Sequence, residues 1–220
     1  MRGPSRRPSS YEPGPASLRP PPEVIVPLRN APNDIPPVTR VRTTLILSSR
    51  RALTERGLFE RYCERLSPAD RTSLENIIAG RWVSIDAALS HYRAVDALAL
   101  PTSEQVALGG AVGEQIQSTL MATLLRMAQG LGLTPWTSVN QYARIWDRLF
   151  IGGDLLVEKL GEREAAVTMY NLSLLEVPYF RVALRGLQEA GLSAIYSWKR
   201  IHVVEVGVMG LSVKYRLTWV

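Results

Sequence analysis

Chemistry requires reactive side chains at a workable spacing, and this chain has few. Its 220 residues include two histidines, His91 and His202, and a single cysteine, Cys63. A neutral imidazole can ligate a metal or haem or carry a proton, yet neither histidine has a second ligand-type neighbour. His91 falls at the edge of an apolar helical stripe and His202 among valines, where a histidine is usually a partly buried structural residue. A lone cysteine excludes an internal disulfide and a cysteine-only zinc site. Beside Tyr62 in a helical pattern, Cys63 reads as a small core or boundary residue. Glu158, Glu162 and Glu164 gather at a turn, where carboxylates are solvated, and none has an acid–base partner. There is no phosphate-binding loop, dinucleotide turn, zinc-protease helix or nucleophile elbow. Gly109-Gly-Ala-Val-Gly113 lies within a helical pattern, so its amides are already bonded and cannot cradle phosphate. The chain therefore reads as a non-enzyme, with no catalytic residue, no metal and no cofactor expected.

One group could still bind. Trp136, Tyr142, Trp146, Phe150, Tyr179 and Phe180 are placed to line an apolar pocket between helix and sheet. Aromatic walls with few polar groups are the usual lining of a small-molecule site. The same residues also suit ordinary core packing.

The elements that position these residues follow from periodicity. Asp154–Leu160 and Ala165–Tyr170 flank Gly161 as a hairpin. Pro178 opens a helix carrying Phe180, Leu184 and Leu187 on one face, and Gly191 stops it. Ile201–Val206 is β-branched, and Gly207–Gly210 is expected to turn the chain. Leu211, Val213, Tyr215, Leu217 and Trp219 then alternate strictly with polar residues, the signature of a strand with one wet face. Upstream, Thr43–Leu47 is a strand or a helix entry. Leu53, Leu58, Phe59, Tyr62 and Leu66 suggest a helix that tolerates Gly57. Ser67-Pro-Ala-Asp70 and Ser84-Ile-Asp are helix starts. The longest helix spans residues 103–131. Its Gly109 and Gly113 allow close backbone approach, as a homodimer contact or inside the domain. Gly130 and Gly132 end it, and Thr134-Pro-Trp136 opens the next helix. The expected fold is α+β, an N-terminal helical bundle packed on a C-terminal four-stranded antiparallel sheet of ββαββ order.

Charge is uneven. Residues 1–42 hold seven arginines and three acids, so most of the net charge of +6 sits there. The rest is nearly neutral, which argues against a nucleic-acid-binding surface. Eleven of the 15 prolines fall in residues 1–37. The expected domains are a disordered Pro/Arg-rich tail over 1–42, with Val24–Val26 as a weak edge-strand candidate, and a single domain over 43–220. The tail reads first as a solubilising extension and second as an arm for an acidic partner. No secretory signal or membrane-length apolar run is present, so no membrane insertion and a cytoplasmic location are expected.

Several stretches together resemble a known family. They are Phe59-x-x-Tyr62, Leu66-Ser-Pro-Ala-Asp-Arg71, Trp82-Val-Ser-Ile85, Ala143-Arg-Ile-Trp-Asp-Arg-Leu-Phe150, Gly153-Asp-Leu155, Val177-Pro-Tyr179 and Glu189-Ala-Gly191. The family is one of bacterial proteins of unknown function, expanded in myxobacteria. It is similar in architecture to vinyl-reductase-like and haem–nitric-oxide-binding domains. The resemblance covers Leu45 to Val220 and implies a sensory or ligand-binding module, often dimeric. Two departures bear on cofactors. Val206, Gly207, Gly210 and Ser212 stand where the vinyl-reductase-like group often has cysteines, and Tyr196-Ser-Trp-Lys-Arg200 lacks the spacing of a haem-propionate motif. Metal and haem are therefore not carried over. The leading expectation is a non-enzymatic regulatory or sensory module that binds an apolar small molecule. The alternative is a protein-interaction adaptor with a filled core.

Overall fold

The computed structural model describes residues 21–128, 136, 139–193 and 201–220, with the backbone alone for 117–128. The first twenty residues, the stops at Gly130 and Gly132, the helix start at Thr134-Pro135 and the Tyr196–Arg200 segment lie outside the described residues. In chain order the elements are β1 (Glu23–Val26), β2 (Arg40–Arg42), α1 (Thr43–Glu55), α2 (Phe59–Cys63), α3 (Pro68–Glu75), β3 (Trp82–Ser84), α4 (Ile85–Asp96), α5 (Thr102–Ala128), α6 (Tyr142–Leu149), β4 (Phe150–Ile151), β5 (Asp154–Gly161), β6 (Glu164–Tyr170), α7 (Pro178–Ser193), β7 (Ile201–Met209) and β8 (Ser212–Trp219). The fold is α+β, with two antiparallel sheets.

Alternation in β8 sets the main layer. Val213, Tyr215, Leu217 and Trp219 are buried, and the residues between them lie at or near the surface. The sheet runs β1-β5-β6-β8-β7. It has five strands rather than the expected four, because Glu23–Val26 adds to the free edge of β5 through a bulge. A second sheet, β3-β2-β4, is too short to show in the sequence pattern. Helix α7 lies on the main sheet: the Tyr215 hydroxyl donates to the Arg181 carbonyl at 3.0 Å, and the Val203 N–H donates to Glu189 at 2.8 Å.

The boundary at residue 42 needs correcting. Val26, Ile35, Val38 and Val41 are buried, so residues 21–42 supply core rather than tail. Proline lacks a donor but keeps its carbonyl, and the Pro36 carbonyl accepts from Gly153 N–H at 2.8 Å. The arm is pinned at Arg29, whose N–H and Nε donate to the buried Asp154 carboxylate at 2.7 and 3.2 Å.

Local chemistry explains the helix ends. Ser67 Oγ accepts from Asp70 N–H at 3.1 Å, and Ser84 Oγ accepts from Ala87 N–H at 3.3 Å. The helix expected to run through Gly57 breaks there. That residue adopts φ +67°, a conformation without steric cost only for glycine, so α1 and α2 are separate. The turn expected over Gly207–Gly210 is shorter. Strand β7 continues to Met209, with a register shift between Glu205 and Gly207.

The glycine face of α5 is used within the chain. A Cβ at Gly109 would fall on the Ala183 carbonyl of α7, and one at Gly186 on the Val106 carbonyl of α5. At Gly113 it would meet the Leu187 carbonyl at 2.8 Å. These glycines therefore do not present a contact for a second copy, and the dimer expected through this helix finds no support.

Candidate functional site

Beside that close contact, the helices leave a gap. Helix α1 contributes Leu45 and Ser49 to its wall, α4 contributes Tyr92, and α5 contributes Gly109 and Val112. The α6–β4 junction adds Leu149 and Phe150, while α7 supplies Tyr179, Phe180 and its apolar face from Ala183 to Leu187. The pocket measures about 40 Å³.

Each wall is fixed for a reason. Asp96, at the end of α4, accepts from the Tyr179 N–H at 2.8 Å, satisfying an otherwise unpaired donor in the first turn of α7. Tyr92 meets Phe180 edge-to-face at 4.7 Å and stacks near Tyr179 at 6.4 Å. Arg56 Nη2 donates to the Ala107 carbonyl at 3.1 Å and ties α1 to α5. Burial pushes the Tyr92 and Tyr179 phenols well up, so both are neutral.

Of the six aromatic candidates, Phe150, Tyr179 and Phe180 line this pocket, and Trp136, Tyr142 and Trp146 do not. Trp146 supports the wall from behind, with its ring 4.6 Å from that of Phe150 and its Nε1 donating to the Gly152 carbonyl at 3.1 Å. Tyr142 donates to Gln188 at 3.4 Å. Trp136 packs on Trp219 at 4.9 Å, and its Nε1 donates to the Glu162 carbonyl in the β5–β6 turn.

Leu45, Ser49 and Tyr92 were missed as lining residues. Ser49 left a signal, since it follows Leu45 by one turn on a face that continues with Ala52 and Leu53. It is 2% exposed, and its Oγ has no hydrogen-bond partner. The Tyr179 hydroxyl is its neighbour, close enough for Ser49 to lower the Tyr179 pKa through a weak hydrogen-bonding interaction against the larger effect of burial, but short of the distance and angle of a full hydrogen bond.

The second polar feature lies outside the pocket. His91 is fully buried between α2 and α4, with Nδ1 2.8 Å from the Tyr62 hydroxyl and Nε2 unpartnered. Burial, with a smaller contribution from Arg50, lowers its pKa to about 3 and keeps the ring neutral. Cys63 is buried on α2, and His202 is exposed on β7. Among the described residues no group of three or more histidine, cysteine or acidic side chains is placed to hold a metal ion. No helix among them is long and apolar enough to cross a membrane.

With this geometry in hand, solved structures place the fold. The chain matches an oxygen-binding H-NOX domain related to soluble guanylate cyclases, in its oxygen complex, with a TM-score of 0.56 and 11% identity over 81% of this chain and 94% of that one. The fold is H-NOX-like. A second match, a structure concerned with haem redox potential and protein-induced porphyrin distortion, has a TM-score of 0.52 and 13% identity over 80% of this chain and 99% of that one. A third, described in terms of H-NOX activation, gives 0.51 and 12% over 78% and 92%. No family model matches the chain, and no curated protein does.

Haem is the group that these neighbours imply, and the residues here do not fit it. Haem iron takes an axial histidine, cysteine, methionine or tyrosine and needs a wide slot. Among the described residues no histidine, cysteine or methionine lines the pocket, and His91 meets the Tyr62 hydroxyl instead. Both lining tyrosines are protonated phenols, and among the described residues no cationic side chain stands in the wall to receive propionates. At about 40 Å³, the space is far below the ~300 Å³ at which ordinary ligand pockets begin.

Proposed function

We propose that this H-NOX-like domain is a non-enzymatic, cytoplasmic sensory module that takes a small apolar molecule between α1, α4, α5 and α7. One observation carries the reading: a buried, unpartnered Ser49 hydroxyl faces a pocket whose other described lining side chains are aliphatic or aromatic. An interior polar atom without a partner is costly, on the order of 1–3 kcal/mol. A ligand that completes it would recover that cost. Phe150, Tyr179 and Phe180 form the aromatic side of the site, and Trp146 holds Phe150 in place. The second reading, an adaptor with a filled core, is favoured by size. The pocket's volume of about 40 Å³ is below the ~150 Å³ of an engineered cavity that accepts benzene.

Native mass spectrometry of the protein purified from its own host separates the two. A mass excess over the 24.4 kDa chain that disappears on denaturation is the expected result. A bare chain mass would overturn the sensor reading in favour of the adaptor. Pull-downs with and without residues 1–20 would then test the tail as the docking element.

A further inference from the structure

We infer that the occupant of this pocket is an uncharged, mainly apolar molecule with one hydrogen-bonding group, and that the Ser49 hydroxyl receives that group. The inference rests on the sensory reading above and deepens it. Ser49 is helical, so its backbone is committed to α1 and only Oγ is free. A hydroxyl donates one hydrogen bond and accepts up to two, so it suits an alcohol or a carbonyl equally. Ions are excluded by what surrounds it. Among the described residues no charged side chain lines the pocket, and an unpaired ion loses its hydration there without replacement. The adjacent Arg50 points elsewhere, with Nη1 donating to the Leu74 carbonyl at 2.6 Å and the guanidinium 5.4 Å from the Phe59 ring. The apolar body has a place as well, against the Tyr92–Phe180 edge-to-face pair. Backbone contact between α5 and α7 at Gly109 and Ala183 fixes the inner wall. Among the described lining residues Leu187 alone is not fully buried, which puts the pocket's solvent side there.

The test is a methyl NMR titration of the full chain with three probes of matched small size: xenon, 1-propanol and propionate. Xenon and propanol are expected to shift the Leu45 and Leu184 methyls, and propionate is not. Ser49→Ala should weaken propanol roughly tenfold, the effect of one net hydrogen bond, and leave xenon unchanged. Equal propanol affinity in both proteins, or propionate binding as well as propanol, would overturn the Ser49 anchor while leaving the pocket reading in place. If neither xenon nor propanol shifts a methyl in the folded protein, the pocket reading falls, and the anchor with it.

Discussion

A tightly packed part of this interior and a loosely packed one share a residue. On one side of Gly109, helices α5 and α7 touch backbone to backbone, with no space for a methyl group. On the other side, the same glycine borders a pocket of about 40 Å³ walled by rings from three elements. The difference explains why the gap survives. Interiors normally collapse to the density of organic crystals. Here α7 cannot approach α5 further, because their main chains are already in contact, and it is anchored to the sheet through Arg181, Arg185 and Glu189. Close packing at one spot holds open the space beside it.

The largest expected effect breaks the tight side. Gly109→Ala or Gly186→Ala forces α5 and α7 apart and should cost at least about 3 kcal/mol in urea unfolding, since the clash is with backbone that cannot rotate away. A smaller loss would mean that the two helices slide freely and do not frame the pocket.

Next comes pH. In the folded chain burial holds the His91 pKa at about 3, against 6.5 for a free ring. Between those values the unfolded chain takes up a proton that the folded one does not. Stability from this residue is therefore complete above pH 6.5 and falls by about 1.4 kcal/mol per pH unit as pH drops toward 3. By pH 4.5 the loss is roughly 2–3 kcal/mol. His91→Phe should flatten that slope, and an unchanged slope in the variant would show that His91 is already hydrated in the native state.

On the loose side, Ser49→Ala removes the orphaned hydroxyl and should stabilise the ligand-free protein by about 1 kcal/mol, a rise of ~2–4 °C in Tm. A loss of stability would mean that the hydroxyl is already satisfied. The smallest effect is a control. Gly110→Ala, one residue from the clamp, makes ordinary contacts with the Gly186 carbonyl at 3.8 Å and the Ala190 Cβ at 4.0 Å and should gain about 0.5–1 kcal/mol from helix propensity. If Gly110→Ala proves as harmful as Gly109→Ala, the helix face has been misassigned.

Much of this was legible beforehand. The strict alternation of β8 and the serine caps at Ser67 and Ser84 speak through short-range rules that survive tertiary contact. Strands β2, β3 and β4 were hidden because two or three residues cannot display a period. The glycine pair on α5 announced a close contact without naming its partner. Of the aromatic set, Phe150, Tyr179 and Phe180 line the gap, since they begin or adjoin helices whose inner faces could be read. Ser49 and Tyr92 belong to helices far upstream, and no local pattern brings them together with α7. An unpaired hydroxyl is a property of assembled structure, absent from any linear pattern.

The Arg29 clamp on Asp154 has a consequence for synthesis. Its partners are 125 residues apart in sequence. A ribosome adding ~5–20 residues per second delivers the second partner roughly 6–25 s after the first. Through that interval Val26 and Val38 lack the hairpin and flanking turn that they meet in the finished protein, and the strand that β1 will edge does not yet exist. On a nascent chain the arm thus waits for β5, although it is made before the other described elements. Nascent-chain handling factors have that interval to act on the stretch that edges the main sheet in the finished protein.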